Sequence, residues 1–168
     1  SASSGNLTIS ECFTTGEISG IGSGGIIGAV SNGSITNCYT TGSASGTDAG
    51  GIIGSVFSKT ITITDCYCLS NKLVGSTSSS STVTLNKSIQ NGGSFPSTGN
   101  ISNDFSSTDL SDLIDANDNL YSTWSTTVWK ESDTDYSGDE VLILKAFRNL
   151  PFQWFNYSSY NDTPLLID

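Results

Sequence analysis

The chain has 168 residues, a net charge of −10 and no histidine, which fits one domain, or one repeat stack with an appendage. The lack of histidine removes the most common general base and metal ligand, so serine-triad and cysteine–histidine chemistry are excluded in their ordinary forms. Residues 1–103 are nearly neutral and the acidic residues are concentrated after them, which argues against binding nucleic acid or anionic lipid.

A cassette of about 26 residues is repeated near the start of the chain. The segment Cys12-Phe13-Thr14-Thr15-Gly16 returns at 38–42, and Gly24-Gly25-Ile26-Ile27-Gly28 returns at 50–54. A third, more divergent copy follows a two-residue insertion. A unit this short and rich in Gly, Ser and Thr cannot enclose a core by itself, so each copy must stack on the next.

Stacked cassettes predict an all-β fold, a parallel β-solenoid (β-helix) of about three 26-residue coils. Adjacent coils lie ~4.8 Å apart, so equivalent residues should form ladders. We expect two apolar ladders to point inward, one of cysteines (Cys12, Cys38 and Cys66) and one of isoleucines (Ile9, Ile35 and Ile63). A third ladder is aromatic and consists of Phe13, Tyr39 and Tyr67.

The cassette resembles the GLUG-motif repeat of large secreted or surface-attached proteins. The resemblance covers residues 1–70 well, through Gly-Gly-Ile-Ile-Gly followed by Ser34-Ile35-Thr36-Asn37-Cys38-Tyr39, and residues 105–147 loosely. It implies a surface-exposed array, often beside adhesive or peptidase modules, with no catalytic residues in the repeat. The chain starts in the middle of a cassette, so we expect a processed protein or a piece of a longer array. The sequence shows neither a membrane-spanning apolar run nor a signal peptide.

Three regions are predicted along the chain. Residues 1–103 form the solenoid, degenerate after about 70, with 76–81 read as a loop or frayed coil. Residues 104–147 form a capping region: a short helix over 109–116, the tryptophans Trp124 and Trp129 over the last coil, and a strand over 141–147. The tail, 148–168, either packs on the cap or is an oligomerisation segment, as in a trimer, through its aromatic residues Phe152, Trp154, Phe155, Tyr157 and Tyr160.

The four cysteines have two interpretations. The spacing, with Cys66-x-Cys68 and two cysteines in separate coils, fits no zinc pattern. Inward small hydrophobes are the favoured interpretation. Disulfides between adjacent coils are the alternative, since the coil spacing lies in the permitted range although parallel Cβ vectors make the geometry awkward.

Glu11, Asn37 and Asp65 form the column before the cysteines. Glu11 and Asp65 would lie ~9 to 10 Å apart, near the upper limit for the carboxylates of an inverting glycosidase. Short polar residues at a coil corner more often form turns, and Asn37 lies between the two acids. We therefore assign no catalytic residue.

An acidic segment resembles the start of a calcium loop. Its candidate ligands are Asp133, Asp135, Ser137 and Asp139, but the twelfth position is Leu144 where a bidentate glutamate is required. An acidic solvated turn is the favoured interpretation, and calcium is the only cofactor left open.

Hydroxyl side chains flank the inward isoleucines and should line one flat outer face. These columns are Thr8, Ser34 and Thr62, and Ser10, Thr36 and Thr64. They resemble the arrays of ice-binding solenoids, although such residues also suit any exposed strand. Six glycosylation sequons occur, at Asn6, Asn32, Asn86, Asn100, Asn156 and Asn161.

These observations predict a non-enzymatic, extracellular, cell-surface or virion-surface protein serving as a stalk, fibre, filament subunit or adhesin. Its expected partners are copies of itself and a host-surface glycan or protein. The alternatives are a carbohydrate-active β-helix that uses Glu11 and Asp65, and an ice-binding solenoid that uses the hydroxyl face.

Overall fold

The computed structural model describes residues 5–70, 72–91, 93–103, 124–131 and 142–144. Within these residues the regular secondary structure consists of short β-strands. The strands are β1 Leu7–Ser10, β2 Phe13–Thr14, β3 Ile27–Val30, β4 Gly33–Thr36, β5 Tyr39–Thr40, β6 Ile53–Val56, β7 Thr60–Thr64, β8 Tyr67–Cys68, β9 Val74–Thr77, β10 Thr82–Asn86, β11 Ile89–Gln90, β12 Asn100–Asn103, β13 Trp129–Glu131 and β14 Leu142–Leu144.

The first twelve strands wind into the parallel β-solenoid that the repeat predicts. Sheet 1 contains β1, β4, β7, β10 and β12, sheet 2 contains β2, β5, β8 and β11, and sheet 3 contains β3, β6 and β9. Each of the first three coils passes through the three sheets in turn, and the pairings within these sheets are parallel. The fold-class prediction of a stack of about three coils is confirmed.

The register follows the cassette. Ile9 pairs with Ile35, 26 residues later, and Ile35 pairs with Ile63 after 28 residues, which absorbs the two-residue insertion. The stack continues past residue 70, because Leu85 pairs with Ile63 and β12 pairs with β10. Ser76, predicted in a loop, belongs to β9. A shorter coil thus still presents its apolar residues in register.

The core lies between the three sheets. Its members are fully or almost fully buried: Val30, Ile35, Cys38, Ile52, Ile53, Val56, Ile61, Ile63, Cys66, Cys68, Leu73, Val74, Val83 and Leu85. In β7 and β10 buried residues alternate with partly exposed ones, the pattern of strands with one face in the core.

The Gly-Gly-Ile-Ile-Gly motif marks the place where two pieces of backbone cross. The two isoleucines of the second copy, Ile52 and Ile53, are buried. A Cβ atom on the last glycine, Gly54, would overlap the carbonyl oxygens of Gly22 and Gly28. Gly75 has the same relation to the carbonyl of Asp48. The loop of each coil therefore lies against the glycine of the next coil, where no side chain fits.

The C-terminal described residues lie beside the stack. β13 and β14 pair antiparallel, and Trp129 contacts Tyr39 and Tyr67 in the second and third coils. Trp124 also contacts Tyr67. The two tryptophans thus cover a side of the solenoid, whereas the sequence led us to expect them over its last coil. The predicted helix at 109–116 and the aromatic tail lie outside the described residues.

Candidate functional site

One corner of the solenoid, between sheets 1 and 2, carries the residues with the most chemistry. One residue in each coil turns the chain there. In order these residues are Glu11, Asn37, Asp65 and Lys87, with φ angles of 54°, 54°, 51° and 48°. This left-handed conformation is uncommon outside glycine, and Asn and Asp tolerate it best. The column predicted before the cysteines therefore consists of turn residues, and Lys87 extends it to a fourth coil.

The residue that follows each turn residue makes hydrogen bonds to backbone groups at the corner. The thiols of Cys12, Cys38 and Cys66 donate hydrogen bonds to the carbonyl oxygens two residues earlier, over 3.3, 3.3 and 3.2 Å. The Cys38 amide donates to the Cys66 sulfur at 3.3 Å. In the fourth coil Ser88 takes the same place, because its hydroxyl accepts from the Cys66 amide at 3.2 Å.

The cysteine ladder is buried except at its first member. Cys38, Cys66 and Cys68 have no exposed surface, Cys12 is exposed, and all four are free thiols in this structure. Hydrogen bonding to Cys66 lowers the pKa of the Cys38 thiol. Burial raises the pKa of Cys66 well above its usual range, so this thiol stays protonated and can donate to the Thr64 carbonyl.

The corner hydrogen bonds lead to a prediction for Cys66. We expect Cys66→Ala to lower the free energy of unfolding by ~1 to 3 kcal/mol more than Cys66→Ser, because alanine leaves the buried Cys38 amide without an acceptor. Serine already fills this position in the fourth coil. Urea denaturation of both variants measures the difference, and equal losses would show that the sulfur acts by packing alone.

The two candidate catalytic acids lie on either side of a covered position. Asn37 sits between them in the corner column, and its side-chain oxygen accepts a hydrogen bond of 3.1 Å from the Trp129 indole. Trp129 is fully buried. The indole thus covers the middle of the column, where a sugar held between Glu11 and Asp65 would have to lie.

The aromatic ladder forms a second cluster on the outside of sheet 2. Phe13 stacks on Tyr39 with ring centroids 5.2 Å apart, and Tyr39 stacks on Tyr67 at 5.1 Å. Trp124 and Trp129 pack against these rings and lie 4.8 Å from each other. The Trp124 indole also donates to the Lys87 carbonyl at 3.1 Å. The cluster ties residues after 123 to three successive coils.

Buried thiol and phenol groups predict a loss of stability at alkaline pH. Burial raises the pKa of Cys68 to about 12 and that of Tyr39 to about 12, whereas the unfolded groups ionise near ~8.5 and ~10. A raised pKa in the folded state gives stability that is complete below the unfolded pKa and is lost as pH rises toward the folded one.

We therefore expect the free energy of unfolding to fall steadily from about pH 8.5 to about pH 12. Urea denaturation across this range measures the effect. Cys68→Ala should reduce the slope of the curve below the tyrosine range without removing it, since burial also raises the pKa of the Cys66 thiol. A stability that stays constant through the range would contradict the burial of these groups.

The outer face of sheet 1 brings the predicted hydroxyl columns together. Thr8 pairs with Ser34, and Ser34 with Thr62. The column continues with Thr84 and Ser102, which the sequence reasoning missed. The alternation of Val83 and Leu85 with polar residues was the available signal. Ser10, Thr36 and Thr64 form the neighbouring column, which Asn86 extends.

Four of the predicted sequons fall on sheet 1 or its margin. The Asn32 amide donates to the Asn6 side-chain oxygen at 2.9 Å, at the edge of the sheet. Asn100 is exposed at the start of β12. Asn86 is only partly exposed, and the hydroxyl of its sequon residue Ser88 is buried in the corner. Asn156 and Asn161 lie outside the described residues.

The calcium candidates Asp133, Asp135, Ser137 and Asp139 also lie outside the described residues. Within the described part of the chain, no three His, Cys, Asp or Glu side chains are grouped so that they could hold a metal ion. The same part contains no helix long and apolar enough to cross a membrane.

Comparison with known proteins gave no match for this chain among protein-family models, curated proteins or solved structures. The fold and the corner geometry are therefore the basis for assigning a role.

Proposed function

We propose that this chain is a non-enzymatic structural or adhesive module of an extracellular, cell-surface or virion-surface protein, forming a segment of a stalk, fibre or filament. The observation that carries the proposal is the unbroken ladder of sheet 1, in which five strands pair in register. A stack of this kind grows in one direction by adding coils, and each coil contacts only its neighbours.

The structural positions of the acidic, cysteine and aromatic residues support this role. Glu11 and Asp65 turn the backbone, Cys38 and Cys66 satisfy buried corner groups, and the aromatic residues hold the covering segment. Perturbed or poised side chains mark active sites when they face a cleft. Here the cysteine and aromatic side chains interact within the stack and the two acids hold turn positions, which favours a scaffold over a carbohydrate-active enzyme.

The resemblance to the GLUG-motif repeat agrees with the proposal. The resemblance implies a surface-exposed array, often beside adhesive or peptidase modules. In this proposal the partners are further copies of the chain and a surface glycan or protein, and the chain uses no cofactor.

Small-angle scattering combined with a glycan array tests the scaffold proposal. We expect an elongated or self-associating particle that binds a surface or a glycan without cleaving it. A compact monomer that binds neither would overturn the proposal. Polysaccharide cleavage that is lost in Glu11→Gln and kept in Glu17→Gln, an exposed acid of the same coil, would instead establish the enzyme.

A further inference from the structure

The outward side chains of sheet 1 form a regular grid of small polar groups, here called the hydroxyl grid. Its inward neighbours Ile61, Ile63, Val83 and Leu85 are buried, so the alternate residues face outward. The grid has three columns: Thr60, Thr82 and Asn100; Thr8, Ser34, Thr62, Thr84 and Ser102; and Ser10, Thr36, Thr64 and Asn86.

The hydroxyls of the middle column have unused hydrogen-bonding capacity. Thr64 receives a long hydrogen bond of 3.4 Å from the Asn86 amide. Thr64 belongs to the neighbouring column. In the middle column no hydroxyl has a hydrogen-bond partner within the described residues, and each of these side chains is at least partly exposed. Each hydroxyl can donate one hydrogen bond and accept two. The middle of the grid is therefore open to a ligand that both donates and accepts.

The grid carries no charge. Its positions are Thr, Ser and Asn, and the charged residues nearest in sequence stand at its edges, with Lys59 before β7 and Asp65 after it. A neutral ligand is favoured, because an uncharged surface offers nothing to offset the loss of hydration of an ion. The threonines of the grid also carry methyl groups, which add apolar surface.

The grid is periodic in two directions, which restricts the ligand further. Neighbouring strands repeat every ~4.8 Å, and outward residues along one strand repeat every ~6.7 Å. A single small molecule would meet only one unit of this pattern, whereas a crystalline surface meets all of it. An ice face is a neutral crystalline surface that also repeats in two directions.

We propose that the hydroxyl grid is an ice-binding face, on which ordered water matches the hydroxyls and fills the rows between the methyl groups. A crystalline polysaccharide is the other neutral periodic ligand. Aromatic platforms are the usual means of holding sugar rings, but the stacked rings of Tyr39 and Tyr67 lie on sheet 2 under Trp129. Water is therefore the favoured occupant.

Thermal hysteresis and partition into growing ice test this face directly. We expect the chain to show both, Thr62→Tyr at the centre of the grid to lose most of each, and Thr47→Tyr to keep them. Thr47 is exposed on a loop away from the grid and gives the matched control. Tyrosine suits exposed strand positions. Circular dichroism checks folding, and Thr36→Tyr repeats the test in the neighbouring column.

Three results would overturn the proposal: a folded chain that gives neither hysteresis nor partition, equal losses in Thr62→Tyr and Thr47→Tyr, or binding to cellulose or chitin that Thr62→Tyr abolishes. The last result would assign the grid to a polysaccharide. The scaffold role is measured separately by particle shape and surface binding, so it can stand if ice binding fails.

Discussion

Gly54→Ala is expected to lower the free energy of unfolding by about 3 kcal/mol or more, while Gly28→Ala changes it little or raises it slightly. The two glycines hold the same place in successive cassettes. A Cβ atom at Gly54 would overlap the carbonyl oxygens of Gly22 and Gly28, whereas one at Gly28 would meet nothing within 4 Å. Backbone cannot move aside as a flexible side chain can.

Urea denaturation followed by circular dichroism measures both variants under the same conditions. The comparison separates overlap from the general effect of replacing glycine in a strand, since both changes alter the unfolded chain equally. If Gly54→Ala costs no more than Gly28→Ala, the loop of the first coil does not cross the second coil as described.

Trp129→Ala is expected to lower the free energy of unfolding by ~3 to 5 kcal/mol, the usual cost of removing a buried tryptophan. The indole is fully buried, packs against Tyr39 and Tyr67, and donates to the Asn37 side chain. Its loss would uncover the aromatic ladder and release the segment that carries it.

Trp129→Phe separates packing from hydrogen bonding at the same position. It retains most of the apolar contact and loses the indole donor, so we expect a smaller loss of about 1 kcal/mol. Chemical denaturation gives both values, and near-ultraviolet circular dichroism follows the ordering of the tyrosines. A wild-type signal and stability in Trp129→Ala would contradict the docking of residues 124–131 on sheet 2.

The solenoid was predictable because its sequence repeats. Ile9, Ile35 and Ile63 stand at fixed offsets, and a short unit without helical periodicity has few ways to bury them. The polar outer face of sheet 1 followed from the same alternation. The turn role of Asn37 was also accessible, because Asn at a corner commonly adopts a left-handed conformation.

Other features depend on contacts that a linear pattern does not contain. Leu73, Val74 and Gly75 take the places of Ile52, Ile53 and Gly54, but the shorter third coil hides the correspondence. Ser88 can replace a cysteine at the corner because either side chain accepts a hydrogen bond from the equivalent amide of the preceding coil, Cys66 from Cys38 and Ser88 from Cys66.

The position of Trp129 was not predictable for a related reason. It contacts Asn37, 92 residues away in sequence, and no periodicity links the two. Aromatic residues after a repeat array suggested a cover for the last coil, whereas in the structure Trp129 packs on the aromatic ladder of sheet 2.

The register of sheet 1 is the most direct test of the account. Nuclear Overhauser contacts between backbone protons should link Ile35 to Ile9 and to Ile63, and Ile63 to Leu85, so the sequence offset changes from 26 to 28 to 22 residues. This succession is specific to the stacked coils. An assigned spectrum whose strand contacts join only residues close in sequence would contradict the solenoid.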